Sequence, residues 1–232
     1  MFILEIAKLK IKVNNKYQFL EKQCKDYIIN SKEYDFEISV TNEEIELEQK
    51  ASKDPHSLGY LESICIYRKI ALILPKYNCI LLHAAIVKVD NFGYGFSAKS
   101  GTGKTTHTRL WNQLLGDKMS YVNGDKPIIR IIEGIPYAFG TPWNGKEGYG
   151  TNTYVRLKAL TFIERSEDNS ISIIPSKDIL PRLIHQILLP KDQENLSKTF
   201  DILNILLQNI NVYLLKCNMH IDAAKLSYET IK

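Results

Sequence analysis

The sequence has no pair of cysteines at motif spacing. Its four, Cys24, Cys65, Cys79 and Cys217, are scattered and form no C-x-x-C. Neither a disulfide framework nor a redox motif is expected, and the thiols suit a reducing compartment. His56, His185 and His220 have no partners at metal-ligand spacing, which argues against zinc. No run of 18 apolar residues occurs, which argues against a membrane-spanning helix. The net charge of +4 is too slight to point to nucleic acid or a membrane surface. Internal repeats and low-complexity segments are lacking too. The opening "MFILEIAKLK" lacks a basic n-region, a longer apolar run and a cleavage site, so a soluble cytoplasmic protein is expected rather than a secreted one. What remains is ordinary globular composition, 44% hydrophobic over 232 residues. A chain of that length buries roughly 70% of its unfolded surface, enough for a core without staples.

The hydrophobic pattern alternates between strand and helix signals. "FILEIAKLKIKV" (2–13) reads as a strand and "YQFLEKQCKDYII" as an amphipathic helix. "FEISVTNEEIELEQK" reads as a hairpin turning near Thr41-Asn42. "LESICIYRKIALIL" fits a helix ending before Pro75. Two strand candidates follow, "NCILLHAAIVKV" and "GYGFSA", and the second runs straight into "KSGTGKTTHTRLWNQLLG". Further strands are expected at "MSYVN", "IIRII", "YAF", "ALTFIER" and "SISIIP". Helices are expected over most of the last fifty residues, with a strand at "VYLLKC". A boundary near residue 78 divides an N-terminal α/β region (1–78) from a core (79–232), with nothing linker-like to mark it.

The strongest signal is "AKSGTGKTT". Gly103, Lys104 and Thr105 end the pattern G-x-x-x-x-G-K-[ST], but Ala98 stands where its first glycine belongs. A glycine-rich turn at a helix start points backbone N–H groups at phosphate oxygens, and the helix dipole assists. A nucleoside triphosphate with Mg²⁺ is therefore the expected ligand. Ser100, Gly101, Thr102, Gly103, Lys104, Thr105 and Thr106 would wrap the phosphates. Lys104 would reach the β- and γ-phosphates, and the Thr105 hydroxyl would ligate Mg²⁺. Alanine at 98 removes no phosphate ligand. Asp125 in "SYVNGDKP" follows an apolar strand and is the candidate second metal ligand; the alternative is a turn aspartate.

The run "LLHAAIVKVDNFGYGFSAKSGTGKTT" resembles the C-terminal catalytic domain of HPr serine kinase/phosphorylase. There a histidine-led strand precedes the loop at this spacing. The loop "SGTGKTT" also looks like that of ATP-dependent phosphoenolpyruvate (PEP) carboxykinase, a distant relative of that fold. The stretch "NGDKP…GTPWNGKEGYGTN…LKALTFIER" looks like HPr-kinase-like proteins outside sugar regulation, some of which modify peptides. The likeness covers roughly residues 80–165. It implies an α/β fold: a PEP carboxykinase/HPr-kinase-like P-loop core with a twisted mixed β-sheet and flanking helices. A small N-terminal α/β part would recognise the acceptor.

The activity implied is a kinase transferring the γ-phosphoryl group to a hydroxyl, foremost a serine of a peptide or protein. A small-molecule (amino acid or sugar) kinase and a non-catalytic ATP-binding regulatory module are the alternatives. His83, Asp125 and Lys104 would be the catalytic set; without the resemblance His83 reads as a core histidine. HPr kinases carry a pair of adjacent acids, whereas here Gly124 and Lys126 flank Asp125 and the pair is broken. The signature E-I-R-G-L-G is replaced by "GKEGYGTN". Its Lys146 and Glu147 are either phosphate or metal contacts or a solvated pair. Trp143 either lines the acceptor pocket or simply packs. HPr kinases are hexamers, so self-association is compatible with the resemblance.

Overall fold

The computed structural model describes residues 1–52 and 54–232. Residues 2–13 form two strands rather than one. β1 (Phe2–Ile6) and β2 (Leu9–Asn14) pair antiparallel with Ile6 opposite Leu9. Ala7 and Lys8 turn the chain at φ of 50° and 59°, the two positive values of a type I′ turn. Helix α1 (Gln18–Gln23) and the short strand β3 (Ile28–Ile29) follow, and β4 (Phe36–Ser39) completes a sheet ordered β3-β1-β2-β4.

The hairpin expected at 36–50 is half strand and half helix. Its second arm is helix α2 (Asn42–Ala51), started by a capping box. The Thr41 hydroxyl accepts from the Glu44 N–H at 3.2 Å, and the Glu44 carboxylate accepts from the Thr41 N–H at 2.8 Å. Two otherwise unpaired donors are thereby satisfied. Thr41→Ala should lower stability by about 1 kcal/mol, read as a shift in the urea midpoint. An unchanged midpoint would show that the box does not hold this helix.

Helix α3 (Leu58–Ile73) packs beneath, and the chain then enters a larger sheet at β5 (Cys79–Leu81). The remaining elements are β6 (Ala85–Val89), β7 (Phe92–Ser97), α4 (Lys104–Leu115), β8 (Met119–Asn123), β9 (Ile128–Ile132), β10 (Ile135–Phe139), β11 (Tyr154–Arg165), β12 (Ser170–Ile173), α5 (Ser176–Ile184), α6 (Gln193–Asn209), β13 (Asn211–Cys217) and α7 (Ile221–Ile231). The main path runs β5-β9-β10-β11-β7-β6-β8. Strand β11 is long enough to pair with β10 through its first half and β13 through its second, along one edge.

Both faces of this sheet are covered. Ile86 and Leu160 pack with Leu203 and Leu206 of α6 on one side. Val87 and Phe96 pack with Trp111 of α4 and Ala223 of α7 on the other. A third apolar cluster joins the first sheet and α3 to Leu81, Ile128, Phe139 and Trp143, so packing continues across residue 78. No helix among the described residues is long and apolar enough to cross a membrane.

The strand directions place the site. β7, β11 and β13 are mutually parallel, while β6 lies antiparallel between β7 and β8. The carboxyl ends of β7, β8, β11 and β13 therefore open on one rim, where the amino end of β6 also lies. Ligands of α/β sheets bind at such a rim.

Candidate active site

The glycine-rich loop leaves β7 at that rim and opens α4. Gly101 and Gly103 have φ of +76° and +130°, a region that favours glycine. Ala98 is not among the residues with positive φ, and its side chain is buried with Phe96 and Trp111. A glycine is thus not required where the loop begins, which accounts for the alanine. The first helical hydrogen bond runs from the His107 N–H to the Gly103 carbonyl at 2.9 Å. The N–H groups of Lys104, Thr105 and Thr106 precede it in the first turn, where helices have no internal partner for them.

His83, Lys104 and Asp125 converge beside this turn. Lys104 Nζ lies 2.9 Å from His83 Nε2 and 3.3 Å from the Ala98 carbonyl oxygen. His83 Nε2 lies 3.2 Å from Asp125 Oδ1, and Lys126 Nζ is 3.7 Å from Asp125 Oδ2. One imidazole nitrogen thus faces both a cationic donor and a carboxylate. It cannot accept from Lys104 and donate to Asp125 at the same time, so a ligand that draws Lys104 away frees it for Asp125.

Burial holds the Lys104 and Lys126 ammonium groups below their ordinary value. Burial alone would raise the Asp125 carboxyl, but the hydrogen bond from His83 and the charge of Lys126 and Lys104 outweigh it and hold it low. The carboxylate is therefore ionised at neutral pH, among cations whose charge is only partly compensated.

Three residues that sequence patterns did not single out hold this arrangement. Ser97, fully buried, donates its hydroxyl to the His83 carbonyl at 2.9 Å. Asn123 Oδ1 accepts from the N–H groups of Asp125 and Lys126 at 2.8 and 2.7 Å. Its amide nitrogen donates to the Thr141 carbonyl at 3.1 Å, which fixes the N-G-D-K turn. Arg165, at the end of β11, donates to the carbonyls of Thr102 and Gly101 at 3.0 and 2.5 Å. A guanidinium on these carbonyls pins the loop to the end of β11, while the Thr102 N–H is taken by the Lys99 carbonyl at 3.1 Å.

The remaining candidates lie apart. Trp143 is buried, and its indole N–H donates to the Ser63 hydroxyl of α3 at 2.9 Å. It packs against Tyr67 and joins the two sheets. Lys146 and Glu147 are exposed in the turn after it, and Glu147 approaches Arg109 at 3.8 Å. His107 is buried against the Ser227 hydroxyl at 3.0 Å, and burial pushes its imidazole down to about 4.

The missing second acid has a steric reason. A Cβ at Gly124 would lie 2.7 Å from the Asn144 carbonyl oxygen and 3.1 Å from that of Tyr149. The 144–149 turn occupies the space an acid would need. Gly124→Asp should cost about 1–3 kcal/mol by overpacking and should not raise activity, as urea unfolding and turnover would show. Full stability with a gain in rate would sink this account.

Magnesium is compatible with the donors present. It keeps several waters and takes one or two protein oxygens along with substrate phosphates. The ionised Asp125 carboxylate beside the loop supplies one such oxygen, and no cluster of three or more acidic, His or Cys ligands occurs among the described residues.

Two clefts flank the loop. One, about 910 Å³, is reached by His83, Ser100, Arg182 and Gln186. The other, about 670 Å³, is reached by Thr106, Leu110, Met219 and His220. Both touch Thr102, Ile163 and Arg165, so they meet at the loop.

No protein-family model matches the chain, and no curated protein matches it by sequence. Among solved structures it is similar to the HPr(Ser) kinase/phosphatase from Coxiella burnetii, with 11% identity and a TM-score of 0.35, over 65% of this chain and 89% of that one. So slight a likeness transfers neither an activity nor a substrate.

Proposed function

We propose that the protein is an ATP-dependent kinase that moves the γ-phosphoryl group onto a hydroxyl, foremost a serine of a peptide or protein. One observation carries this: His83 Nε2 stands within 2.9 Å of Lys104 Nζ and 3.2 Å of Asp125 Oδ1 beside a glycine-rich helix start. A cation, an ionised carboxylate and an imidazole in contact are the parts that phosphoryl transfer asks for.

The N–H groups of the loop and of the first turn of α4 bind the phosphates. Lys104 leaves His83 for the β- and γ-oxygens and offsets the charge that builds there. Thr105 and Asp125 would hold Mg²⁺, which would supply positive charge against the phosphates. The nucleoside occupies the 670 Å³ cleft, where Thr106 and Leu110 of α4 line the wall. With Nε2–H donated to Asp125, His83 takes the acceptor hydroxyl's proton on its other ring nitrogen, Nδ1, and the carboxylate offsets the charge that results; such a base contributes about 10²–10⁴-fold.

The second reading is an ATP-binding regulatory module, favoured by the closed space at Gly124. Incubation with Mg²⁺ and γ-labelled ATP, with serine peptides, amino acids and sugars, separates the two. Label on a peptide, lost in Lys104→Ala, supports the kinase. Tight ATP binding with no transfer to any acceptor leaves the regulatory module.

A further inference from the structure

The division of the rim into two clefts assigns the acceptor's place and its charge. This inference rests on the phosphotransfer reading above. His83 reaches the 910 Å³ cleft and is absent from the lining of the other, whereas Thr106 and Leu110 show the reverse. A nucleotide running from the loop past Thr106 leaves the first cleft free on the side of the histidine. We propose that the 910 Å³ cleft binds an anionic acceptor, a hydroxyl carried beside one or more carboxylates.

The cleft's cations exceed its anions. Lys99, Arg165 and Arg182 line it, and Glu164 is its sole lining carboxylate among the described residues. Glu164 already binds Arg182 at 2.9 Å, and Arg165 is engaged with the loop carbonyls. Lys99 forms no ion pair among the described residues, so an unmatched positive field remains close to the phosphate loop. Confinement by protein walls strengthens such a field relative to open water.

The wall that carries Arg182 is fixed to the candidate base. Leu82 bridges Ile187, and the His83 N–H donates to the Gln186 carbonyl at 2.8 Å. Cation and candidate base thus line one volume. A serine with Asp or Glu neighbours meets both, and so does a small free hydroxy acid.

The test is binding, so it does not depend on turnover. Fluorescein-labelled serine peptides flanked by Asp, by Gln or by Lys are titrated with the full chain. Anisotropy is read at low salt with a non-hydrolysable ATP analogue present. The Asp-flanked peptide should bind at least about tenfold tighter than the Lys-flanked one, with the neutral peptide between, as expected for charge complementarity. Arg182→Gln and, separately, Lys99→Glu should each compress that ratio, as should added salt. Lys99 is exposed, so its variant keeps the test valid should Arg182→Gln misfold.

Displacement of the Asp-flanked peptide by L-serine or glycerate supports the same cleft and marks a small hydroxy acid as the source of the anion. Failure to displace marks a peptide. Equal binding of the three peptides, a reversed order, or no binding at all overturns the proposal. If the charge order holds while the ATP analogue does not bind, the anionic cleft stands and the kinase reading falls.

Discussion

Lys104→Ala should lower phosphoryl transfer by about 10²–10³-fold, the loss typical of one preorganised donor to a developing anion. It should do so without lowering the thermal midpoint of the nucleotide-free protein. The second half follows from burial. Lys104 is 9% exposed, and desolvation holds its ammonium below the ordinary value of 10.5. A lysine whose pKa falls on folding is penalised in its charged form. That penalty is full below the folded pKa and fades as pH rises through it toward 10.5. At pH 7 the folded chain bears it, and alanine removes it.

Nucleotide reverses the balance, because phosphate oxygens replace the lost hydration. Mg-ATP at about 100 Kd should stabilise the protein by about 2.7 kcal/mol, roughly 5–10 °C in Tm for a chain of this size. Lys104→Ala should lose most of that rise. Differential scanning fluorimetry with and without Mg-ATP reads both effects. A variant markedly less stable without nucleotide would mean that the lysine is structural. A full ATP shift in the variant would mean that the loop does not bind the phosphates through it.

The features legible in the sequence are those whose cause is local. The strand "GYGFSA", the positive-φ glycines and the helix that follows are neighbours in the chain, so pattern and structure coincide. The His83 candidate rested on the resemblance and Asp125 on its place after an apolar strand, and strand order carries both to one rim: β6 runs antiparallel between β7 and β8. Charge alternation hid the helix at 42–51. "EIELE" has period two, yet the Thr41–Glu44 capping box outweighs it once α3 covers Ile45. That box was present as T-x-x-E and was a usable signal.

The turn at Ala7-Lys8 gave no such signal, because neither residue favours positive φ. Its carbonyl is instead held by Arg130 at 2.5 Å, from the other sheet. Arg165 and Ser97 were illegible for a like reason: each acts through a partner that is meaningful only once the strands are aligned. Asn123 instead caps its own turn through the N–H groups of Asp125 and Lys126, a local signal in N-G-D that was usable. For Trp143 the sequence left open pocket lining and simple packing, because the partner that holds it, Ser63, lies eighty residues away.

Asp125→Asn should lower transfer as severely as any single change at the site, by about 10²–10⁴-fold, because one carboxylate serves both His83 and the proposed metal. Its stability effect should oppose that of Lys104→Ala. Asp125 is held below its ordinary 3.8 by His83, Lys126 and Lys104. A carboxyl lowered on folding contributes stability that is present above the unfolded pKa and lost as pH falls through the folded one. At pH 7 asparagine forfeits that contribution and leaves two partly buried lysines without their anion.

The nucleotide-free Asp125→Asn protein should therefore melt below the parent, while Lys104→Ala should not. Two inactive variants with opposite thermal shifts identify a site in which excess positive charge is held ready for phosphate. Two variants that shift alike would point to an ordinary structural ion pair. The pH profile separates the histidine from the acid. Asp125 is held below its ordinary 3.8 by His83, Lys126 and Lys104, so an acidic limb of kcat/KM above pH 5 belongs to another group. Its loss in His83→Gln assigns that limb to His83; its persistence there removes His83 from the role of base.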